Sequence, residues 1–134
     1  TLVSKDGTFS FPDVQLNNGA NTIYAKAQVT GGKVSSNSNT LTVLYKKSNP
    51  KLELAGPDDN ATVNTDQKMV VVSGLTDPED TVTVNDHIVV VNPDGSFSYQ
   101  QSLNDGDNTI NVVATDSAGN QTKTTRHVKY SSPQ

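Results

Sequence analysis

The segment Val91-Asn92-Pro93-Asp94-Gly95-Ser96-Phe97-Ser98-Tyr99 is the most informative part of this sequence, because it occurs twice. Its first copy, Val3-Ser4-Lys5-Asp6-Gly7-Thr8-Phe9-Ser10-Phe11, lies 88 residues earlier. A second block behaves in the same way: Leu16-Asn17-Asn18-Gly19-Ala20-Asn21-Thr22-Ile23 returns as Leu103-Asn104-Asp105-Gly106-Asp107-Asn108-Thr109-Ile110, 87 residues later. Blocks that recur in the same order indicate an internal duplication.

The duplication extends beyond these blocks but is incomplete at one end. Tyr45 matches Tyr130 at an offset of 85, whereas residues 51–88 have no counterpart ahead of Thr1. The sequence therefore predicts a partial domain at 1–46 (the C-terminal strands only), a linker at 47–50, a complete domain at 51–130 and the start of a further linker at 131–134. Because residues 131–134 echo the first linker, we expect the chain to be a piece of a longer tandem array.

The composition excludes several classes of protein. A chain of 134 residues has room for one or two small domains. The absence of cysteine excludes a disulfide framework, a thiolate metal site and a cysteine nucleophile. The net charge of −4 is spread along the chain, which argues against nucleic-acid partners and a basic membrane-binding face. No apolar run approaches the ~18 residues of a membrane span.

Short strand-like segments alternate with turn signals along the whole chain, and no segment keeps the apolar spacing of an amphipathic helix. In the complete domain we predict seven strands, at residues 51–55, 68–75, 81–85, 87–91, 96–101, 108–116 and 121–130. Such a pattern is typical of an all-β, antiparallel immunoglobulin-like sandwich without its disulfide. The partial domain supplies counterparts of the last four strands only.

The predicted interior is small. It consists of apolar residues on one side of each strand: Val70, Val72, Val82, Val84, Phe97, Tyr99, Leu103, Ile110, Val112 and Ala114. Burial of a large apolar side chain contributes roughly 1.5–3 kcal/mol, so this is one modest core. The partial domain has no facing sheet, and we expect it to dimerise or to be completed by another chain or a neighbouring domain.

Three motifs carry a family resemblance: Asn92-Pro93-Asp94-Gly95-Ser96-Phe97, Leu103–Ile110 and Ala114-Thr115-Asp116-Ser117-Ala118-Gly119-Asn120. Together they resemble the C-terminal half of bacterial immunoglobulin-like modules of the glucodextranase-B type. The resemblance implies an accessory domain of an extracellular glycoside hydrolase or subtilisin-like protease, or the stalk of a surface adhesin. The first copy departs from the third motif, since it has Val29 where the complete domain has Asp116.

The residues that could carry catalysis are not arranged for it. His87 and His127 are the only histidines, and neither has a Ser–His–Asp spacing, so we expect solvated strand positions for both. The carboxylates lie in turns, where hydrogen bonding to the local backbone favours aspartate. The sequence therefore predicts no enzymatic activity for this piece.

One pole of the sandwich is a weak calcium candidate. Three loops that share this pole carry five acidic residues: Asp77, Glu79, Asp80, Asp94 and Asp116. Calcium takes 6–8 oxygen ligands, although no segment has the spacing of an EF-hand loop. The alternatives are neutralisation by Lys46, Lys47 and Lys51 through weak exposed pairs, or plain solvated turns. No other metal or cofactor is expected.

The aromatic residues bear on sugar binding. Phe9, Phe11, Phe97 and Tyr99 occupy the same strand of each copy, which indicates core positions, while Tyr45 and Tyr130 are expected to pack against the linkers. Tyr24 alone is predicted to be an exposed ring. The sequence does not decide whether a Lys–Asn isopeptide cross-link forms.

The functional hypothesis is a non-catalytic spacer module of a larger bacterial protein, extracellular or attached to the cell wall, with its neighbouring domains as partners. The alternative is a module that binds carbohydrate, cell wall or a host protein.

Overall fold

The structure is a computed structural model that describes residues 1–133. The chain divides into two compact units, a first unit at Thr1–Lys47 and a second unit that begins at Ser48. Every regular element in the described residues is a β-strand, in agreement with the all-β prediction. Residues 1–133 contain no helix long and apolar enough to cross a membrane.

The first unit contains two strands, β1 (Gly19–Ile23) and β2 (Leu41–Tyr45). They pair antiparallel, with Gly19 opposite Tyr45 and Ile23 opposite Leu41. The prediction of four strands here was wrong, because the counterparts of the first two do not form strands. A strand needs a neighbour for its backbone hydrogen bonds, and the first unit has no counterpart of the strand that pairs with residues 96–102 in the second unit.

The described part of the second unit contains eight strands. They are β3 (Leu52–Gly56), β4 (Ala61–Val63), β5 (Met69–Thr76), β6 (Thr81–Val84), β7 (His87–Val89), β8 (Ser96–Ser102), β9 (Gly106–Thr115) and β10 (Gln121–Tyr130). Two sheets result, one of five strands in the order β4-β10-β9-β6-β7 and one of three in the order β3-β5-β8. The predicted sandwich is confirmed, with seven of these strands close to their predicted positions.

The eighth strand, β4, was missed by the sequence analysis. It pairs with the end of β10 in parallel, with Ala61 opposite Val128 and Val63 opposite Tyr130. Every other strand pair in the described structure is antiparallel. Three residues between two turns give little periodicity, so β4 is defined by its partner and not by its own pattern.

The core lies between the two sheets of the second unit. Its buried members are Val72, Val82, Val84, Val89, Phe97, Leu103, Ile110, Val112, Ala114, Val128 and Tyr130. Most predicted core residues are confirmed, but Val70 and Tyr99 are only partly buried at the margin. Val89, Val128 and Tyr130 were missed. The last two are buried because β4 covers the far side of β10 and makes it an interior strand.

The predicted core role of Phe9 and Phe11 was wrong. The two residues are 54% and 57% exposed, and their rings contact each other edge-on with centroids 6.0 Å apart. Their counterparts in the second unit, Phe97 and Tyr99, lie on β8 against the core. The difference follows from the missing strands and not from the local sequence, which is nearly the same in both copies.

Candidate functional site

The Asp94 turn joins the end of β7 to β8. The Asp94 carboxylate oxygen Oδ1 accepts hydrogen bonds from the Ser96 hydroxyl at 2.6 Å and the Ser96 backbone N–H at 2.9 Å. These two hydrogen bonds lower the pKa of Asp94 below its ordinary value, and the bond from the Ser96 hydroxyl has the larger effect. Asn92 donates from its amide to the Ser96 hydroxyl oxygen at 3.0 Å. This motif thus builds a hydrogen-bonded turn.

The first unit repeats this turn although it lacks the surrounding sandwich. Asp6 Oδ1 accepts from the Thr8 hydroxyl at 2.7 Å and from the Thr8 backbone N–H at 3.1 Å. The same two bonds, in the same order of importance, lower the pKa of Asp6. The same turn therefore forms in both copies of this motif, because its hydrogen bonds join residues only two positions apart and do not depend on the rest of the sandwich.

We expect Asp94→Asn to lower the urea midpoint of unfolding at neutral pH, because an amide oxygen accepts these bonds more weakly than a carboxylate. The lowered pKa of Asp94 means that its stabilisation is present above the ordinary carboxyl value of 3.8 and is lost as the pH falls through the lower folded-state value. The midpoints of the two proteins should therefore converge in acid. A constant gap between pH 7 and about pH 2 would contradict the assigned turn.

A second repeated turn uses asparagine. Asn108 accepts from the backbone N–H of Asn104 at 2.7 Å and donates to the carbonyls of Asn104 at 2.8 Å and Gly106 at 3.0 Å. In the first unit Asn21 makes the same three bonds, at 2.8, 2.7 and 2.9 Å. This arrangement satisfies the backbone groups that a tight corner leaves unpaired.

Asp116 forms the third motif, between β9 and β10, and is 7% exposed. Its Oδ1 accepts from the backbone N–H groups of Ala118 at 2.8 Å and Asn120 at 3.0 Å, and its Oδ2 accepts from the Asn120 side chain at 3.0 Å. In the first unit Val29 replaces this aspartate, yet the Gly32 N–H still reaches the Val29 carbonyl at 2.8 Å. Loss of the aspartate therefore removes side-chain bonds but preserves the turn.

The loop between β5 and β6 holds the remaining calcium candidates. Asp80 is 6% exposed, and its Oδ2 lies 2.9 Å from the Thr76 hydroxyl oxygen, which is also 2.7 Å from the Lys51 carbonyl oxygen. Asp77 accepts from the Lys51 backbone N–H at 3.3 Å, and Glu79 is exposed. These bonds fasten the first residues of the second unit to the loop.

Four of the five acidic residues at this pole thus accept hydrogen bonds that hold nearby loops and turns. Within residues 1–133 no three acidic or histidine side chains are placed together to hold a metal ion. Asp77 and Asp80 act on one loop, whereas Asp94 and Asp116 each serve a separate turn. Of the proposed lysine partners, Lys51 directs its ammonium to Glu53 at 3.2 Å, an exposed and weak pair. Calcium binding at this pole stays a prediction.

Comparison with known proteins places the chain in a family. Residues 50–131 match the family model described as glucodextranase, domain B. The chain belongs to this glucodextranase domain B family. The match coincides with the second unit and confirms the resemblance that the three turn motifs carry.

A curated relative extends the likeness over both units. It is 35% identical over 135 residues to Bacillopeptidase F of Bacillus subtilis (strain 168), an alignment that covers 99% of this chain and 9% of that protein. Among solved structures, the fibronectin(III)-like modules of Clostridium thermocellum CbhA match with a TM-score of 0.54 and 16% identity, over 87% of this chain and 65% of theirs. The structural likeness shows a shared sandwich fold.

Both histidines of the chain are exposed, as predicted. The His87 ring stacks on Tyr99 with centroids 5.9 Å apart, and its Nδ1 lies 3.0 Å from the Asn85 carbonyl. Asp59 Oδ1 accepts from the backbone N–H of His127 at 2.7 Å and lies 3.1 Å from its Nδ1. The backbone bond from His127 is the main cause that lowers the pKa of Asp59. The His87 contact joins β7 to β8, and the His127 contact joins β10 to the segment ahead of β4.

The expectation that Tyr130 packs against a linker was wrong. Tyr130 is 3% exposed within the second unit, and its hydroxyl donates to the Thr65 carbonyl at 2.9 Å. The Lys68 ammonium lies 5.4 Å from the ring centre and pairs with Asp105 at 2.7 Å, and the hydrogen bond to Asp105 raises the pKa of Lys68. The alternation of β10, in which Val128 points inward, was the signal that could have located Tyr130.

Tyr24 is half-exposed, as predicted, but the expectation that it would be the sole exposed aromatic residue was wrong. Half of its surface is open to solvent, and the Lys26 ammonium lies 5.9 Å from the ring centre. Phe9 and Phe11 are 54% and 57% exposed and line the same groove as Tyr24. Tyr45, the other tyrosine of the first unit, lies at the end of β2 and is 39% exposed.

Proposed function

We propose that this chain is a non-catalytic spacer module of a larger bacterial protein, located outside the cell, which positions a hydrolase or adhesive domain. The observation that carries the proposal is that the acidic side chains form hydrogen bonds within their own unit. The carboxylates of Asp80, Asp94 and Asp116 accept hydrogen bonds that hold loops or turns of their own unit. None of these three is therefore poised in an apolar pocket for acid–base work.

The points at which the chain enters and leaves the second unit support a mechanical role. The Thr122 hydroxyl on β10 donates to the carbonyl of the buried residue Pro50 at 2.6 Å. At the other end the Ser131 N–H donates to the Val63 carbonyl on β4 at 3.0 Å. Because both ends are hydrogen-bonded to strands, a tensile force along the chain acts directly on the two sheets.

The family and its members agree with this role. The family name describes one domain of glucodextranase, and the matching part of Bacillopeptidase F is 9% of that protein. A spacer needs a stable fold and a polar surface, and the low mean hydropathy of −0.52 is consistent with the latter.

The alternative function, binding to carbohydrate or cell wall, is distinguished by a pelleting assay. We expect the purified chain to stay in the supernatant with insoluble polysaccharides and with bacterial cell walls, because a spacer needs no ligand-binding surface. The exposed side chains of Phe9, Phe11 and Tyr24 are the stacking surfaces that this assay tests. Tyr24→Ala is the matched control and should behave identically.

Sedimentation of the chain would contradict the spacer role. If Tyr24→Ala abolished that sedimentation, the first unit would be a sugar-binding surface; if it did not, another surface would bind. A deletion of residues 51–130 from the full-length protein adds a second readout. The activity of this deletion variant on a small soluble substrate should equal that of the full-length protein, since a spacer does not contact the reacting atoms.

A further inference from the structure

The corner that leads into β1 contains Asn18 followed directly by Gly19. Asn18 is the only asparagine of the sequence that precedes a glycine. The side-chain amide of an asparagine can be attacked at its carbon Cγ by the backbone nitrogen of the next residue. This attack is least hindered when the next residue is glycine, which has no Cβ atom. The reaction is therefore sterically easiest at Asn18.

The structure leaves this corner open to such a reaction. Asn18 is exposed, and a Cβ atom added at Gly19 would meet no atom of the described residues within 4 Å. The strands described in the first unit form one pair, β1 with β2. Few tertiary contacts therefore oppose the backbone rotation that brings the Gly19 nitrogen to the Asn18 side chain.

A hydrogen bond at the Asn18 side chain favours the attack. The backbone N–H of Lys47 donates to Asn18 Oδ1 at 3.1 Å. Negative charge develops on this oxygen when a nitrogen adds to Cγ, and a donor that is already in place stabilises the developing charge. Lys47 is the last residue of the first unit, so this bond also joins the end of the unit to the start of β1.

The second unit shows that the corner accommodates the product of the reaction. Asp105 and Gly106 are the counterparts of Asn18 and Gly19, and both glycines have positive φ, +84 and +103. The Asp105 carboxylate accepts from the Lys68 ammonium at 2.7 Å. A carboxylate at this position is thus compatible with the fold of the corner.

We propose that Asn18 is a site of spontaneous deamidation in the folded chain. The Gly19 nitrogen forms a bond to Cγ of Asn18, the bond from Cγ to Nδ2 breaks, and the Gly19 amide proton leaves with Nδ2 as ammonia. A cyclic imide remains. Water then adds to either carbonyl of the imide and opens it, which gives aspartate or isoaspartate. Water is the one co-reactant, and no electrons are transferred.

The two products affect the first unit differently. Aspartate leaves the backbone unchanged and accepts the Lys47 N–H more strongly, because a charged acceptor forms the stronger bond. Isoaspartate inserts a carbon atom into the backbone between Asn17 and Gly19. The side chain of Asn21 bonds to backbone groups of both these residues, at 2.7 to 2.9 Å. Isoaspartate should therefore break this set of bonds and loosen the start of β1.

Incubation of the intact chain in water enriched in the heavy oxygen isotope, at mildly alkaline pH, tests the proposal. Peptide mass mapping should show ammonia loss and heavy-oxygen uptake at residue 18 ahead of every other asparagine, with aspartate and isoaspartate both formed. The amides of residues 19–23 should exchange faster with solvent in the isoaspartyl form than in the unmodified chain, and unchanged in the aspartyl form. Asp105, which also precedes a glycine, is the internal control and should isomerise more slowly, because an ionised carboxylate is a poor electrophile.

Three variants separate the contributions to the reaction. Gly19→Ala should lose most of the deamidation at residue 18. Lys47→Pro, which removes the backbone N–H, should slow it on the order of 10-fold, less than the loss of a buried oxyanion donor, because this donor is exposed. Lys47→Ala keeps the N–H and should react at the parent rate.

Deamidation spread evenly over the asparagines, or absent at residue 18, would overturn the proposal. An unchanged or faster rate in Lys47→Pro would overturn the role given to the Lys47 N–H. Equal exchange of residues 19–23 in the isoaspartyl and unmodified forms would overturn the expected loosening of β1.

Discussion

Gly95→Ala is expected to lower the free energy of unfolding of the second unit by about 2–5 kcal/mol, the sum of backbone strain and a steric clash. Gly95 has φ +84, a conformation that alanine rarely adopts. A Cβ atom added there would also overlap the carbonyl oxygen of Thr76, which is fixed backbone. The Thr76 N–H donates to the Gly95 carbonyl at 2.9 Å, so the two segments cannot separate without the loss of that bond.

Gly106→Ala is the matched control, because Gly106 also has φ +84 but has no atom within 4 Å of an added Cβ. It should cost about 1–2 kcal/mol from backbone strain alone. Urea unfolding monitored by circular dichroism measures both variants. Equal losses would show that the contact between Gly95 and Thr76 contributes nothing.

Ile110→Ala is expected to lower the same free energy by about 2–5 kcal/mol, since it leaves a cavity in a core that relaxes only in part. Ile110 is 1% exposed and lies on β9, between β6 and β10 in the five-stranded sheet. A small domain has few other buried residues to offset the loss.

Ile88→Ala makes the same chemical change on the surface, because Ile88 is 78% exposed on β7. We expect a change within about 0.5 kcal/mol. If Ile88→Ala destabilised the protein as much as Ile110→Ala, Ile88 would be covered by a partner in solution, and the assigned core would be incomplete.

The turns were the most predictable part of this protein. Asp94 and Asn108 bond to backbone groups within four residues, so their roles depend on the local sequence and were visible as repeated motifs. The structural use of Asp80 was less predictable, because it depends on Thr76 and Lys51 at the edge of the other sheet. Loop acidity alone could not distinguish such bonds from a metal site.

The division between the two kinds of information is clearest in the duplicated segments. Turn positions, seven of the strands of the second unit and family membership follow from the amino-acid pattern, because alternation and turn hydrogen bonds act over a few residues. Burial does not follow from it: Phe9 and Phe97 stand in almost identical segments, yet one is exposed and the other is 2% exposed. Burial depends on residues far away in the chain, here β5 and β6 for Phe97 and β4 for Tyr130, and only the folded arrangement brings those residues into contact.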